Sequence, residues 1–526
     1  MDDAFLAGGC QPVAASLTRL VSAARQVGLQ LNPQKCELIV CGGLTASVDA
    51  RAFRAGIRVN ASGNFLLLGA PIGQARYTEA ATLAERVDKA RPLLRAIAEL
   101  PDPQTGLLLL RHCASFCKFV FALRVTPTQL LGSAATAFDS AVRECLESLC
   151  TGPLPEEAWQ QASLSTASGG LGLRHAQLHA PAAYAASLAA VQPPALDKNF
   201  CQDWPASGAV AAASSVNECL LPDDQIPVPA PPTTKQQSLS QALDRALLIR
   251  LGAPTPGREA FRAHLQLLQQ PRAGAWLHAP PSEALGLHVD GPLFRVMVRL
   301  RLRLPVAASD AVCPLCDGIA DKFGDHARAC PCGGDRTKRH NRLRSLLAAR
   351  AQAAGLSPEV EKPDLLPPRL GEAGCSEDGS RAGNGRRPAD VWVPSWGLHG
   401  PAAFDLAVTC GMRPGQHAAV AAAAERPAAD YEARKCLHKD TKAVCAVQGL
   451  QFIPMVVEAS GGWAPCAVRA WQQLAANLAL RSGEPASQEA DRLYQALAIS
   501  LQRENARAVL RRMPETAGSV RHLADP

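Results

Sequence analysis

The pair Cys313-Pro-Leu-Cys316, followed by His326 and Cys330, constrains this chain more than any other stretch. Two residues separate the first pair, three the second, and nine lie between the pairs. Two close pairs joined by a short loop let four ligands close a tetrahedron around zinc. Four protein ligands leave no open position, so such a site is structural rather than catalytic. Cys332 competes with Cys330 for the fourth place, and spacing does not choose between them. The 18 cysteines are otherwise scattered over 526 residues without a signal peptide, so reduced thiols are expected. The basic run RTKRH behind the knuckle suits a grip on nucleic acid.

A second constraint lies downstream. EVEKPDLL supplies Glu359, Glu361 and Asp364, RPADVWVP places Asp390 at the start of a strand, and AFDLAVT carries Asp405 fifteen residues later. Alternation puts Phe404, Leu406 and Val408 on one face of that second strand, and Ala403, Asp405, Ala407 and Thr409 on the other. An aspartate inside a small, apolar strand is disfavoured by burial and needs a partner, for which a metal ion is suited. Lys435, Lys439 and Lys442 recur at i, i+4 and i+7, the spacing of one helical face. For Lys439 and Lys442 a solvated basic stripe is the expectation. Glu458 ends the apolar strand FIPMVVE, either supporting the site or simply closing the strand.

Length allows two or three domains with their own cores, and 47% hydrophobic with 19% charged residues is a globular composition. The net charge of +7 is compatible with nucleic acid without demanding it. No apolar run approaches a membrane span, so a nuclear or cytoplasmic protein away from membranes is expected. Residues 192–236, rich in Pro, Ala and Ser, read as a linker. Residues 371–387 lack hydrophobic period and read as a flexible insertion. Arg295, Arg299, Arg301 and Arg303 form either a half-solvated helix face or a phosphate-contacting ridge. The tail reads as two amphipathic helices that pack or bind nucleic acid through Arg507, Arg511 and Arg512.

At the other end, Asp2 and Asp3 enter a strand, an arrangement suited to magnesium. CELIVCGG (36–43) and NFLLLGAPIG (64–73) read as strands. In order, MDD, GLQLNPQKCEL with Lys35, FLLLGAPIG and the stretch EEAWQQASLSTASGGLGLRHAQLHAPAAYAAS (156–187) resemble the palm and thumb of non-LTR retrotransposon reverse transcriptases over roughly the first 190 residues. The resemblance implies fingers and a second metal-binding aspartate before residue 1, so polymerase activity is expected to be lost. The knuckle, RHN (339–341), Asp390, Asp405 and YEARK resemble the PD-(D/E)xK restriction-like endonuclease of site-specific members of that group. The usual lysine position holds Ala407, and the resemblance implies that it is displaced to Lys435. It also implies an acidic residue before the first aspartate, Glu361, with Glu359 as competitor.

The resulting expectation is a multidomain α+β and α/β chain. A truncated palm covers 1–75, a helical thumb 76–191, the linker 192–236, a basic helical region 237–312, the knuckle 313–340, a restriction-like endonuclease 341–466 and a helical tail 467–526. The implied catalytic set is Glu361, Asp390, Asp405 and Lys435, with Asp2 and Asp3 in the palm. Zn2+ at Cys313, Cys316, His326 and Cys330, Mg2+ at Asp390 and Asp405, and DNA and RNA partners complete it. The competing reading is a zinc-containing nucleic-acid-binding relic without catalysis.

Overall fold

A computed structural model describes residues 4–41, 48–197, 206–367, 387–397 and 400–513. Asp2 and Asp3 lie outside the described residues, as does the expected insertion apart from Arg387. The fold is mixed α+β, dominated by helices, with small sheets. Near the start, helix Cys10–Gln26 precedes two two-stranded sheets. Strand Glu37–Ile39 pairs in parallel with Arg58–Asn60. NFLLLGAPIG is not one strand: Phe65–Leu67 and Ala70–Ile72 form an antiparallel hairpin. Leu68 and Gly69 both take positive φ, which is the backbone a two-residue hairpin turn demands.

Helices then dominate to residue 301. Leu110, Phe119, Leu123, Phe138 and Leu146 pack in one apolar core with Trp276, Phe294 and Met297, and with Ile499 and Val509 of the C-terminal helix Ala486–Leu510. Residues 76–191, 237–312 and the tail therefore share a core. Among the described residues one stretch, Pro103–Val125, has the length and apolarity of a membrane span. Its axis breaks at Ser115, and Leu107, Leu110, Phe119 and Leu123 are buried among neighbouring helices, so its apolarity serves this core.

The expected linker is also partly structured. Helix Ala176–Asp197 runs into it, Ala206–Asn217 is a second helix, and Ala212, Ala213, Val216 and Ala230 are buried. Small alanines let helices approach closely, an apolar role that composition counting reads as a spacer. Three of the four ridge arginines turn inward too. Arg299 donates to the Cys150 and Pro305 carbonyls, Arg301 to those of Thr166 and Gly170, and Arg303 to Asp325. Carbonyls at chain turns take Arg299 and Arg301, and a carboxylate takes Arg303, leaving these three guanidiniums unavailable to phosphate.

Asp139 caps helix Ala176–Asp197, accepting from the Ala176 and Gln177 amides at 2.7 and 3.0 Å. Burial nonetheless pushes its carboxyl up to about 6. A carboxyl raised in the folded state contributes stability that is complete below its ordinary 3.8 and lost as pH rises through 6. The loss amounts to roughly 3 kcal/mol. Denaturant titrations of wild type and Asp139→Asn at pH 4 and pH 7.5 are expected to show this decline in wild type and a smaller one in the variant. Parallel declines would contradict it.

The C-terminal region is built on a four-stranded sheet. Glu359–Val360, Val391–Val393 and Ala402–Thr409 pair antiparallel in that order, and Gln451–Glu458 adds in parallel to Ala402–Thr409. Gln451–Glu458 is an edge strand, where Pro454 does not interrupt a ladder on its open side. Phe404 and Leu406 pack with Leu343 and Leu347 of helix Asp335–Ala353 and with Trp471 and Leu497. On the opposite face Ala407 meets Ala428 of helix Arg426–Leu437, and Ala403 meets Cys445 of helix Thr441–Val447. Continuous apolar stretches follow from this burial on both faces.

Candidate metal centre and acidic cleft

The knuckle begins with a short hairpin, Ala311–Val312 against Ile319–Ala320. Cys313 and Cys316 sit in its turn, which the Cys313 amide closes on the Gly318 carbonyl at 2.8 Å. Gly318 is glycine for space: a Cβ there would stand 2.8 Å from His326 Cε1. The Asp321 carboxylate accepts from the amides of Phe323, Asp325 and His326, starting the short helix Asp325–Ala329 that carries His326. Cys330 follows at its end. Donor atoms of Cys313, Cys316, His326 and Cys330 all lie within 4.8 Å of one another. Cys316 Sγ is 3.4 Å from His326 Nε2 and 3.6 Å from Cys330 Sγ. A tetrahedral zinc with Zn–S bonds near 2.3 Å sets its sulfurs about 3.8 Å apart, so this donor set could hold zinc. Cys330 completes the group, and Cys332 instead offers its carbonyl to Arg512 at 2.9 Å. No other such group occurs among the described residues.

The acidic residues downstream line up by strand register. Val391 faces Phe404, so the next pair outward is Asp390 opposite Asp405; Val360 faces Val391, so the next is Glu361 opposite Asp390. The Glu361 amide donates to the Asp390 carbonyl at 2.9 Å. Glu361, Asp390 and Asp405 thus form one row across three strands. Directly opposed residues place their Cβ atoms about 4.5–5.5 Å apart. The competitor Glu359 pairs instead with Lys362 and does not line the cleft.

Helices from both layers reach this row. From Asp335–Ala353, His340 Nε2 lies 3.0 Å from Asp390 Oδ2, and Arg344 pairs with Glu361. From Arg426–Leu437, Lys435 Nζ reaches Asp405 Oδ1 and Oδ2 at 2.9 and 2.8 Å. The Leu406 amide donates to Asp390 Oδ2 at 2.7 Å, and Arg387 joins Glu361 at 3.3 Å. Together Glu361, Asp390, Asp405 and Lys435 line an open cleft of ≈ 470 Å³ with Arg387, His438 and Thr441. Burial pushes the Asp405 carboxyl up, the Lys435 ammonium pulls it down, and Asp390 adds a smaller upward push. The hydrogen bond to Asp390 raises the His340 imidazole against its own burial. RHN was part of the sequence resemblance, yet nothing in its spacing assigned a contact to His340.

The three lysines do not share one face. The helix stops at Leu437, Lys439 and Asp440 adopt left-handed backbone, and a new helix starts at Thr441. A 3.6-residue period carries through such a break in sequence but not in space. Glu458 does not reach the cleft. It is fully buried and accepts from the Gly411 and Ser460 amides, closing the turn after its strand. Arg511 and Arg512 pack on Asp335, and Arg507 pairs with Glu504.

No known family matches this sequence, and no curated protein matches it.

Proposed function

We propose that residues 335–510 form a metal-dependent endonuclease that nicks DNA, within a chain of non-LTR retrotransposon type. The observation that carries this reading is the row Glu361–Asp390–Asp405 with Lys435 beside it, in an open cleft. Carboxylate oxygens on adjacent strands are the donors that magnesium prefers. Bound there, magnesium would supply a water of lowered pKa and neutralise charge on the transferring phosphoryl group. Asp390 and Asp405 would hold it, with Glu361 at the rim. The Leu406 amide and His340 fix the Asp390 carboxylate between them. Lys435, freed as Asp405 takes the cation, would orient the attacking water and offset developing negative charge. Exposed Arg336 and Lys338, on the first turn of the helix behind the knuckle, suit contact with the nucleic-acid backbone.

The alternative, a zinc-bearing nucleic-acid-binding protein without catalysis, has one observation in its favour. Each carboxylate of the row already has a basic side-chain partner: Arg344 on Glu361, His340 on Asp390 and Lys435 on Asp405. Incubation of purified protein with supercoiled plasmid and magnesium separates the two. Nicking is expected from wild type and a loss of roughly 10²–10³-fold from Lys435→Met. Binding without any nicking by wild type would favour the alternative.

A further inference from the structure

We propose that Asp335 is a positioning residue: clamped by Arg511 and Arg512, it sets the helix that serves the acidic cleft and links that helix to the Cys/His knuckle. The proposal rests on the nuclease reading for its functional meaning, though not for its structural content. Asp335 opens helix Asp335–Ala353 and is 8% exposed. Its Oδ1 takes Arg511 Nη1 at 2.5 Å, and its Oδ2 takes Arg512 Nη1 at 2.6 Å. The same arginines hold the knuckle: Arg512 donates to the Cys332 carbonyl and Arg511 to the Gly333 carbonyl, each at 2.9 Å. Arg512 is itself buried. The loop between is tight, because a Cβ on Gly333 would stand 2.6 Å from Leu315 Cδ1, inside the turn that bears Cys313 and Cys316.

The same helix then delivers its other contacts in sequence. Arg339 binds Asn505 Oδ1 and the Arg328 carbonyl, His340 meets Asp390, and Arg344 meets Glu361. At 1.5 Å per residue, His340 and Arg344 stand about 7.5 and 13.5 Å along the axis from Asp335. A rigid rod fixed at its start places both groups, and a shift or rotation there is carried to both carboxylates. Helix Ala486–Leu510 braces the rod through Asn505, and the clamp lies just past its end. Metal loading of the knuckle and the geometry of the cleft are therefore joined through one carboxylate that touches neither metal nor substrate.

The test uses the full chain with Asp335→Asn, Asp335→Glu and the milder Arg511→Met, which removes only the more exposed grip. Zinc content, melting temperature, amide hydrogen exchange and the magnesium dependence of plasmid nicking are compared with wild type. Asp335→Asn and Arg511→Met are expected to keep one zinc and cooperative melting. Exchange should rise in residues 336–344, and the magnesium needed for half-maximal nicking should rise roughly tenfold, the scale of an ångström-level misplacement or less. Asp335→Glu is expected to recover part of both. A purely local structural role would lower melting without moving the magnesium midpoint, and that result would overturn the proposal. So would unchanged exchange at 336–344 in Arg511→Met should Asp335→Asn fail to fold. If wild type does not nick, the nuclease reading fails, and exchange still decides: zinc removal from wild type must then loosen 336–344, or the link to the knuckle fails too.

Discussion

Asp405→Ala is expected to abolish magnesium-dependent nicking, a loss on the order of 10³-fold or more. Asp405 is the member of the carboxylate row that meets Lys435, which reaches both of its oxygens. Its removal also leaves the Lys435 ammonium without its carboxylate partner. Asp405→Asn keeps the side-chain shape but not the charge, and is expected to be equally inactive while melting near wild type. The asparagine variant thus separates lost chemistry from lost folding. Plasmid nicking at wild-type rate by either variant would remove Asp405 from the proposed chemistry.

Cys316→Ser is expected to cost the protein its zinc and the cooperative melting of the knuckle and of helix Asp335–Ala353. Structural zinc contributes roughly 10–16 kcal/mol of binding free energy at neutral pH, far beyond the reserve of a small motif. The knuckle has little apolar core of its own, since Val312 and Ile319 in its hairpin are exposed. Cys332→Ser is expected to bind zinc and melt as wild type does, because only the Cys332 carbonyl is engaged by Arg512. Zinc stoichiometry on reduced protein checks both. Zinc lost from the Cys332 variant and kept by the Cys316 variant would reverse the ligand assignment.

The opposing faces of strand Ala402–Thr409 were legible in its alternation, because a period of two is a property of any extended chain. The Lys435, Lys439 and Lys442 stripe was misleading for a related reason. Period arguments assume one unbroken helix, and the left-handed pair Lys439–Asp440 ends it. The role of Arg299, Arg301 and Arg303 stayed open because charge in a sequence says nothing about which carbonyls or carboxylates will lie beside it in the fold.

By itself the sequence determined the four-ligand spacing at Cys313, Cys316, His326 and a later cysteine, and the isolation of one aspartate within an apolar strand. Both are local properties, set by neighbours a few residues away. Only the tertiary structure decided that Cys330 and not Cys332 closes the group, and that His340 and Arg344 reach the carboxylates from one layer and Lys435 from the other. It also decided the row itself, since register between strands separated by up to thirty residues depends on how both faces of the sheet are covered. Contacts such as Asp335 with Arg511 and Arg512 span 176 and 177 residues, beyond the reach of any local pattern.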